Sequence, residues 1–253
     1  MLIIIYVFST MTGSLFGSFL NVVITRLPVK GKFFSEARSQ CPECKHTIRW
    51  YDLIPVFSWI FLLGRCRDCK ARISVRYPLV EAAGALLAVV SLWHFGLEPA
   101  AVLVYAVTMV LLAIALIDFD TTEIPDPLII ALVPFAILSI WFLPNITLLS
   151  HAIGLVSIAL PMLLLSLAIP GAFGGGDIKL MAVCGFMLGW QLSLVAFFIA
   201  LLIGGSIAAY LMLSGKRKRG DHMVFGPALC IGIALSVYIG SEILELYQSL
   251  YRF

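Results

Sequence analysis

The chain has 253 residues, of which 61% are hydrophobic and only 12% charged, and its mean hydropathy is +1.05. A soluble domain carries about 25% charged residues, so this composition excludes a soluble enzyme, a disordered chain and a collagen-like fibre, and defines an integral membrane protein. The net charge of +3 is informative through its distribution: eleven of the seventeen basic residues fall between 26 and 76, against four acids there, a polar insert of net +7.

About 20 apolar residues cross a bilayer core. Candidate spans in chain order are 2–24, 79–97, 100–118, 128–146, 150–170, 178–191, 192–213 and 224–247. The first lacks a leading basic region and a small-residue cleavage site, so it reads as a span and not as a removable signal peptide. The 36 residues of 178–213 would make a helix of about 54 Å, too long for one crossing. Two segments turning near Gly189-Trp190-Gln191 are expected instead. The fold class is therefore an all-α polytopic membrane protein of about eight transmembrane helices, with a small cytoplasmic insert between the first and second.

Lys and Arg bias loops toward the cytoplasm. With the insert placed there, the loops at 119–127, 171–177 and 214–222 fall on the same side, with Lys179 and the basic cluster at 216–219. Only Arg252 is left outside, and both termini are expected to be extracytoplasmic. Nucleic-acid binding is the other reading of basic clusters, but clusters flanking spans are topology signals and no nucleic-acid partner is expected.

The insert holds Cys41-Pro-Glu-Cys44 and Cys66-Arg-Asp-Cys69, each followed by Lys-x-x-Ile with the same spacing. Each looks like a knuckle giving two thiolates to one tetrahedral ion, and together they supply a closed set of four cysteines for structural Zn²⁺. Such a site has no open position for water, so its role is in folding. Disulfides are the competing reading, disfavoured by a reducing cytoplasm. His46 is an alternative ligand, better read as a surface histidine. Cys184 and Cys230 lie inside spans, where a lone cysteine packs as a small hydrophobe.

Ionisable groups in spans are expensive and point to function. Asp118 ends the run Leu111-Leu-Ala-Ile-Ala-Leu-Ile117, and Asp177 follows Gly174-Gly175-Gly176 at the mouth of a later span. Two carboxylates brought together at the membrane boundary share a proton and can act as general base and general acid on one water, which is aspartyl-protease chemistry. The glycines let a partner or extended substrate approach closely. A helix cap or a solvated interfacial charge is the bland reading of either acid alone. Asp120, Glu123 and Asp126 follow Asp118, so that choice is not forced by chemistry. Pro125 and Pro127 disfavour helix and make the later acids loop residues in water. Glu81, three residues after Pro78, reads as an ordinary helix-start acid. Gly13 and Gly17 permit close helix contact, and Ser18 and Asn21 are available to hydrogen-bond neighbours.

At these residues the chain resembles the type IV prepilin peptidases, bifunctional leader peptidases and N-methyltransferases of the GxGD membrane aspartyl protease class. The resemblance covers nearly the whole chain: Gly17-Ser-Phe-Leu-Asn21 through Arg26-Leu-Pro28, the paired CxxC insert, Arg76-Tyr77-Pro78-Leu-Val-Glu81, Ile117-Asp118 with Ile124-Pro125-Asp126, Gly174-Gly-Gly-Asp177-Ile-Lys179, and Phe225-Gly226-Pro227. It implies that Asp118 and Asp177 are the catalytic dyad, that S-adenosylmethionine is the methyl donor, and that prepilins or pseudopilins are substrates, cut on the cytoplasmic side of the bacterial inner membrane between a Gly and usually a Phe or Met. Several family members lack the cysteine insert, and its presence implies the longer, bifunctional form. The parts are then 1–25, the first transmembrane helix; 26–77, the zinc-binding insert; and 78–253, the transmembrane peptidase domain. Asn21, Arg26, Arg76, Tyr77 and Glu81, where the first span ends and the insert re-enters the membrane, are the polar candidates for holding the methyl donor, with Glu81 complementing its positive charge. Two other classes compete. A transporter or channel with a zinc-bound domain would place its relay acids near mid-bilayer. A purely structural assembly subunit would need no pair of aspartates.

Overall fold

The computed structural model describes residues 2–29, 38–143, 146–169, 171–215 and 224–251. Lys30, Lys32 and Glu36 of the insert, the basic cluster at 216–219, and Arg252 lie outside the described residues. The chain forms two compact units, Met1–Tyr105 and Ala106–Phe253. Among the described residues all regular structure is helical, apart from two isolated β-bridges.

In the first unit, α1 (Leu2–Arg26) packs on α3 (Arg76–Phe95) along a stripe with no room for side chains. A Cβ on Gly13 would stand 2.6 Å from the Gly84 carbonyl oxygen and 2.7 Å from Ala88 Cβ, and one on Gly17 would stand 2.7 Å from Glu81 Cα. Backbones approach this closely only where small residues recur every four positions, as the Gly13/Gly17 spacing leads one to expect. Asn21 continues the stripe by one turn, and its Nδ2 donates to the Tyr77 carbonyl at 3.1 Å. Pro28 follows the end of α1. Gly96, at φ 67°, ends α3, with its N–H on the Leu92 carbonyl.

The insert between these helices folds as its repeat implies. The bridges Gln40↔Thr47 and Arg65↔Arg72 enclose the two CxxC pairs. In each knuckle the first cysteine's N–H bonds five residues ahead (Cys41 to His46, 3.0 Å; Cys66 to Ala71, 2.8 Å), while Lys45 and Lys70 turn back onto it in left-handed conformation. Between the knuckles a 3-10 turn (Trp50–Leu53) and the five-residue α2 (Phe57–Phe61) flank Val56. Val56, at φ 62°, makes a strained γ-turn closed by Phe57 N–H on Pro55 O at 2.6 Å. Its own N–H donates to Glu81 Oε2 at 2.7 Å. Arg67 forks onto Asp52, with Nε and Nη2 at 2.9 and 2.6 Å from the two carboxylate oxygens, and holds that carboxyl below the usual range.

α4 (Pro99–Thr121) starts on its proline and runs through the boundary at Tyr105 into the second unit. There follow α5 (Asp126–Phe142), α6 (Leu148–Ser157), α7 (Ala159–Ala168), α8 (Gly175–Leu213) and α9 (Gly226–Tyr251). The break between α6 and α7 at Ile158 lies three residues before Pro161, which cannot donate to the Ser157 carbonyl.

The 39-residue α8 is two helices joined at Gly189, which is non-helical at φ 72° and ψ 169°. Phe173 and Phe197 have ring centroids 6.2 Å apart, whereas a straight helix would separate them by about 36 Å. The chain therefore reverses at Gly189, as the length of 178–213 leads one to expect. A reversal inside hydrocarbon strips carbonyls of their intrahelical partners. Here Ser193 Oγ donates to Gly185 O (3.3 Å) and Gly189 O (2.6 Å), and the imidazole Nδ1 of the fully buried His151 stands 2.6 Å from Phe186 O. A Cβ on Gly154 would collide with the Gly185 carbonyl, so the α6 backbone lies directly on the hairpin.

Among the described residues six helices are long and apolar enough to cross a membrane, with α6 and α7 counting as one over Leu148–Ala168. The expected eight differ in two respects. The span expected over 128–146 ends at Phe142, leaving a 17-residue helix, and the first arm of α8 runs only from Gly175 to the break at Gly189. Counting that helix and both arms, the described residues hold eight apolar helical segments, two of them short for a core of about 30 Å.

Candidate active site

Asp118 lies in the last turn of α4, on the stripe that carries Leu111 and Ile114, and is 5% exposed. Its carboxylate accepts from the backbone N–H of Gly226, the first residue of α9. Asp177 is the third residue of α8 and 8% exposed. Its Oδ2 reaches back to accept from the Gly174 N–H at 3.3 Å, the carboxylate half of a capping box. Its Oδ1 is buried with no hydrogen-bond partner. The charges of the two aspartates are within electrostatic reach of each other.

The glycines around the pair are spaces taken by one side chain. A Cβ on Gly176 would meet Ile124 Cβ at 2.8 Å, and one on Gly226 would meet Ile124 Cδ1 at 3.3 Å and collide with Asp118 itself. Ile124 is thus wedged between the helix starts that hold the two carboxylates. Cys184, two turns beyond Asp177, and Cys230, one turn beyond Gly226, are buried as expected of cysteines packing as hydrophobes.

The structure separates Asp118 from its acidic neighbours, which the sequence does not. Asp120 is exposed in the last turn of α4, Glu123 is exposed, and Asp126 pairs with Lys179 Nζ at 2.8 Å on the surface. Their exposure agrees with expectation, but not all are in loops: Asp120 is helical, and Asp126 opens α5 with Pro125 and Pro127 in the positions where a helix start tolerates proline. Unforeseen is an aromatic cluster of Phe173, Phe197 and Phe225, with centroids 5.7 to 6.4 Å apart. The signal for it is the Phe-Gly dipeptide that precedes each carboxylate-holding N–H, at 173–174 and 225–226.

The four sulfurs of Cys41, Cys44, Cys66 and Cys69 all lie within 4.8 Å of one another and could hold a metal ion. Cys41 and Cys69 Sγ are 3.8 Å apart, which is the edge of a tetrahedron with bonds of about 2.3 Å. The Cys44 backbone N–H bonded to the Cys41 sulfur pulls that thiol down to about 7, while burial and the neighbouring sulfurs push Cys69 up to about 11. His46 bonds Asp68 at 3.0 Å and is half exposed, a surface residue as expected. Of the polar residues at the insert's return, Asn21 and Glu81 are buried and engaged with Tyr77 O and Val56 N–H. Arg26 lies 3.4 Å from Arg38 O, Tyr77 is exposed, and Arg76 is partly buried at the first residue of α3.

A multi-pass helical bundle with paired buried carboxylates at helix ends and a four-cysteine insert defines a class of membrane protein. Comparison with known proteins places it within that class: the chain belongs to the type IV leader peptidase family. A family model of that description matches residues 103–209, and one described as the bacterial peptidase A24 N-terminal domain matches residues 11–95. Relatives named prepilin leader peptidase/N-methyltransferase include one from Pseudomonas putida, 34% identical over 93% of this chain and 91% of the relative, and one from Bacillus subtilis (strain 168), 32% identical over 98% of each. A third, from Pseudomonas aeruginosa, is 33% identical over 93% of this chain and 90% of its own length. No solved structure matches the chain.

Proposed function

We propose that the chain is a membrane-embedded aspartyl endopeptidase that removes the leader peptide of prepilins or pseudopilins at the cytoplasmic face of the bacterial inner membrane, and that it N-methylates the new N-terminus. Asp118 and Asp177 are the catalytic pair. The observation that carries this reading is the buried, unpartnered Oδ1 of Asp177 beside a second buried carboxylate: an atom at this cost in burial has a use. One carboxylate takes a proton from a water as the oxygen attacks the scissile carbonyl. The other, protonated, donates to the carbonyl oxygen to give a gem-diol; as the C–N bond breaks, the first carboxylate passes the proton it took from water to the departing amine and the second takes a proton back from a diol hydroxyl. Each aspartate keeps one backbone N–H donor, so the pair is oriented without a competing side-chain cation.

Zn²⁺ held by Cys41, Cys44, Cys66 and Cys69 organises the insert and takes no part in the chemistry. Glu81, Asn21, Arg26 and Arg76 hold S-adenosylmethionine, which supplies a methyl group on a sulfonium. A buried carboxylate such as Glu81 suits that positive charge, and Asn21 is fixed beside it. The transporter reading expects acids near the middle of spans; Asp118 and Asp177 stand at helix ends. Co-expression with a prepilin, reading the mass of the product's N-terminus, tests both activities in one spectrum. A shortened, methylated product is expected, and an intact leader refutes the peptidase reading.

A further inference from the structure

We propose that the segment between the two knuckles is a membrane-interface anchor: its apolar face seats in the headgroup boundary of an anionic phospholipid surface. The inference goes beyond the peptidase reading and needs only that the flanking helices cross a membrane. Three observations carry it.

Large apolar side chains are concentrated here in the open. Trp50, Ile54, Phe57, Ile60, Phe61 and Leu63 are all exposed, Phe61 and Leu63 to 82% each. In a water-facing zinc knuckle such a face is a liability; in the interfacial region aromatic and aliphatic side chains are favoured.

The height of the segment is set by a hydrogen bond. Glu81 stands about 7.5 Å along α3 from Arg76, and its side chain leans back toward the helix start. The Val56 N–H on its carboxylate, at 2.7 Å, therefore holds α2 beside the first turns of a transmembrane helix and not above them in water. Val75, Tyr77 and Leu79 of that same region are exposed too, so exposed apolar surface is found both on the insert and at the start of α3.

Charge rims the face. A groove of about 390 Å³ is lined by Phe61, Leu62 and Leu63 together with Arg65, Cys66 and Lys70. Apolar floor with two cations at the edge matches an anionic headgroup above acyl chain. Each basic residue near such a surface contributes to the attraction.

The test uses the full chain in nanodiscs, with Phe61→Trp as reporter and the wild type subtracted. The added tryptophan is expected to emit blue-shifted and to lose intensity to phospholipids brominated near the headgroup end of the chains, more than to those brominated near the terminal methyl. The loss is expected to be larger in phosphatidylglycerol than in phosphatidylcholine. Adding Leu63→Asp, at a position open enough to leave metal content unchanged, should restore the intensity. A reporter quenched by aqueous acrylamide but by neither brominated lipid overturns the anchor. Equal quenching in the two lipids overturns the anionic assignment. Shielding from acrylamide that appears only when prepilin is added overturns the proposal in favour of a substrate-docking face.

Discussion

Phe173 and Phe225 pack with their rings tilted at 58° and centroids 5.7 Å apart, and each is followed by the glycine whose N–H holds one of the two aspartates. Phe197, from the returning arm of the α8 hairpin, packs against both. The hairpin at Gly189 thus brings back an aromatic ring that clamps together the two chain segments orienting the carboxylates.

Aromatic pairs contribute about 0.5–1.5 kcal/mol each beyond simple burial, so losing two is expected to slow the chemical step roughly tenfold. Phe197→Ala should lower kcat with little change in KM, and Phe197→Tyr, which keeps the ring, should recover most of the loss. Steady-state cleavage of a prepilin peptide in detergent checks this; a change confined to KM would place Phe197 in substrate binding instead.

Purified protein should contain about one zinc per chain. Substituting any of Cys41, Cys44, Cys66 or Cys69 by Ser is expected to lower metal content and thermal stability together while leaving Asp118 and Asp177 chemically intact. Elemental analysis beside a melting curve reads both. Full metal content in a Cys41→Ser variant would remove that residue from the ligand set.

At Gly189, φ 72° and ψ 169° is a conformation open essentially to glycine alone, and a Cβ would stand 2.6 Å from Ser150 Oγ. Gly189→Ala is expected to cost more than the roughly 1–3 kcal/mol of backbone strain in that region. Gly215→Ala, at φ 69° in open space, should cost only the strain. A larger loss of Tm in Gly189→Ala than in Gly215→Ala is the expected result.

Glu81→Gln removes a charge yet keeps an oxygen to accept the Val56 N–H, so the insert should remain seated. If Glu81 faces the methyl donor, the product is expected to be correctly cleaved but to lack the mass of one methyl group. Wild-type methylation in this variant would leave Glu81 with the structural role of holding Val56.

Much of this architecture is legible in sequence because the membrane and the metal impose simple rules. Apolar runs of about 20 residues, a 36-residue run too long for one crossing, and two identical CxxC spacings lead directly to the helices, the reversal and the sulfur cluster. The prominence of Asp118 and Asp177 follows from the cost of carboxylates at span ends. What the sequence does not reveal depends on contacts between distant segments. Nothing local distinguishes Asp118 from Asp120; only the packing of Ile124 and Gly226 around one of them does. The five-residue α2 and the Val56 turn are set by Glu81, 25 positions away, and the partners of His151 and Ser193 exist only because the chain folds back.

The measurement closest to the central claim is leader cleavage by Asp118→Asn and Asp177→Asn, each purified from membranes in amounts equal to the wild type. Each amide keeps the shape and the backbone hydrogen bond of the residue it replaces but can neither take nor give the catalytic proton, so both variants are expected to leave the prepilin uncut, while Asp120→Asn and Asp126→Asn process it at near wild-type rates. Appreciable cleavage by either Asp118→Asn or Asp177→Asn would contradict the assignment of that carboxylate to the reaction.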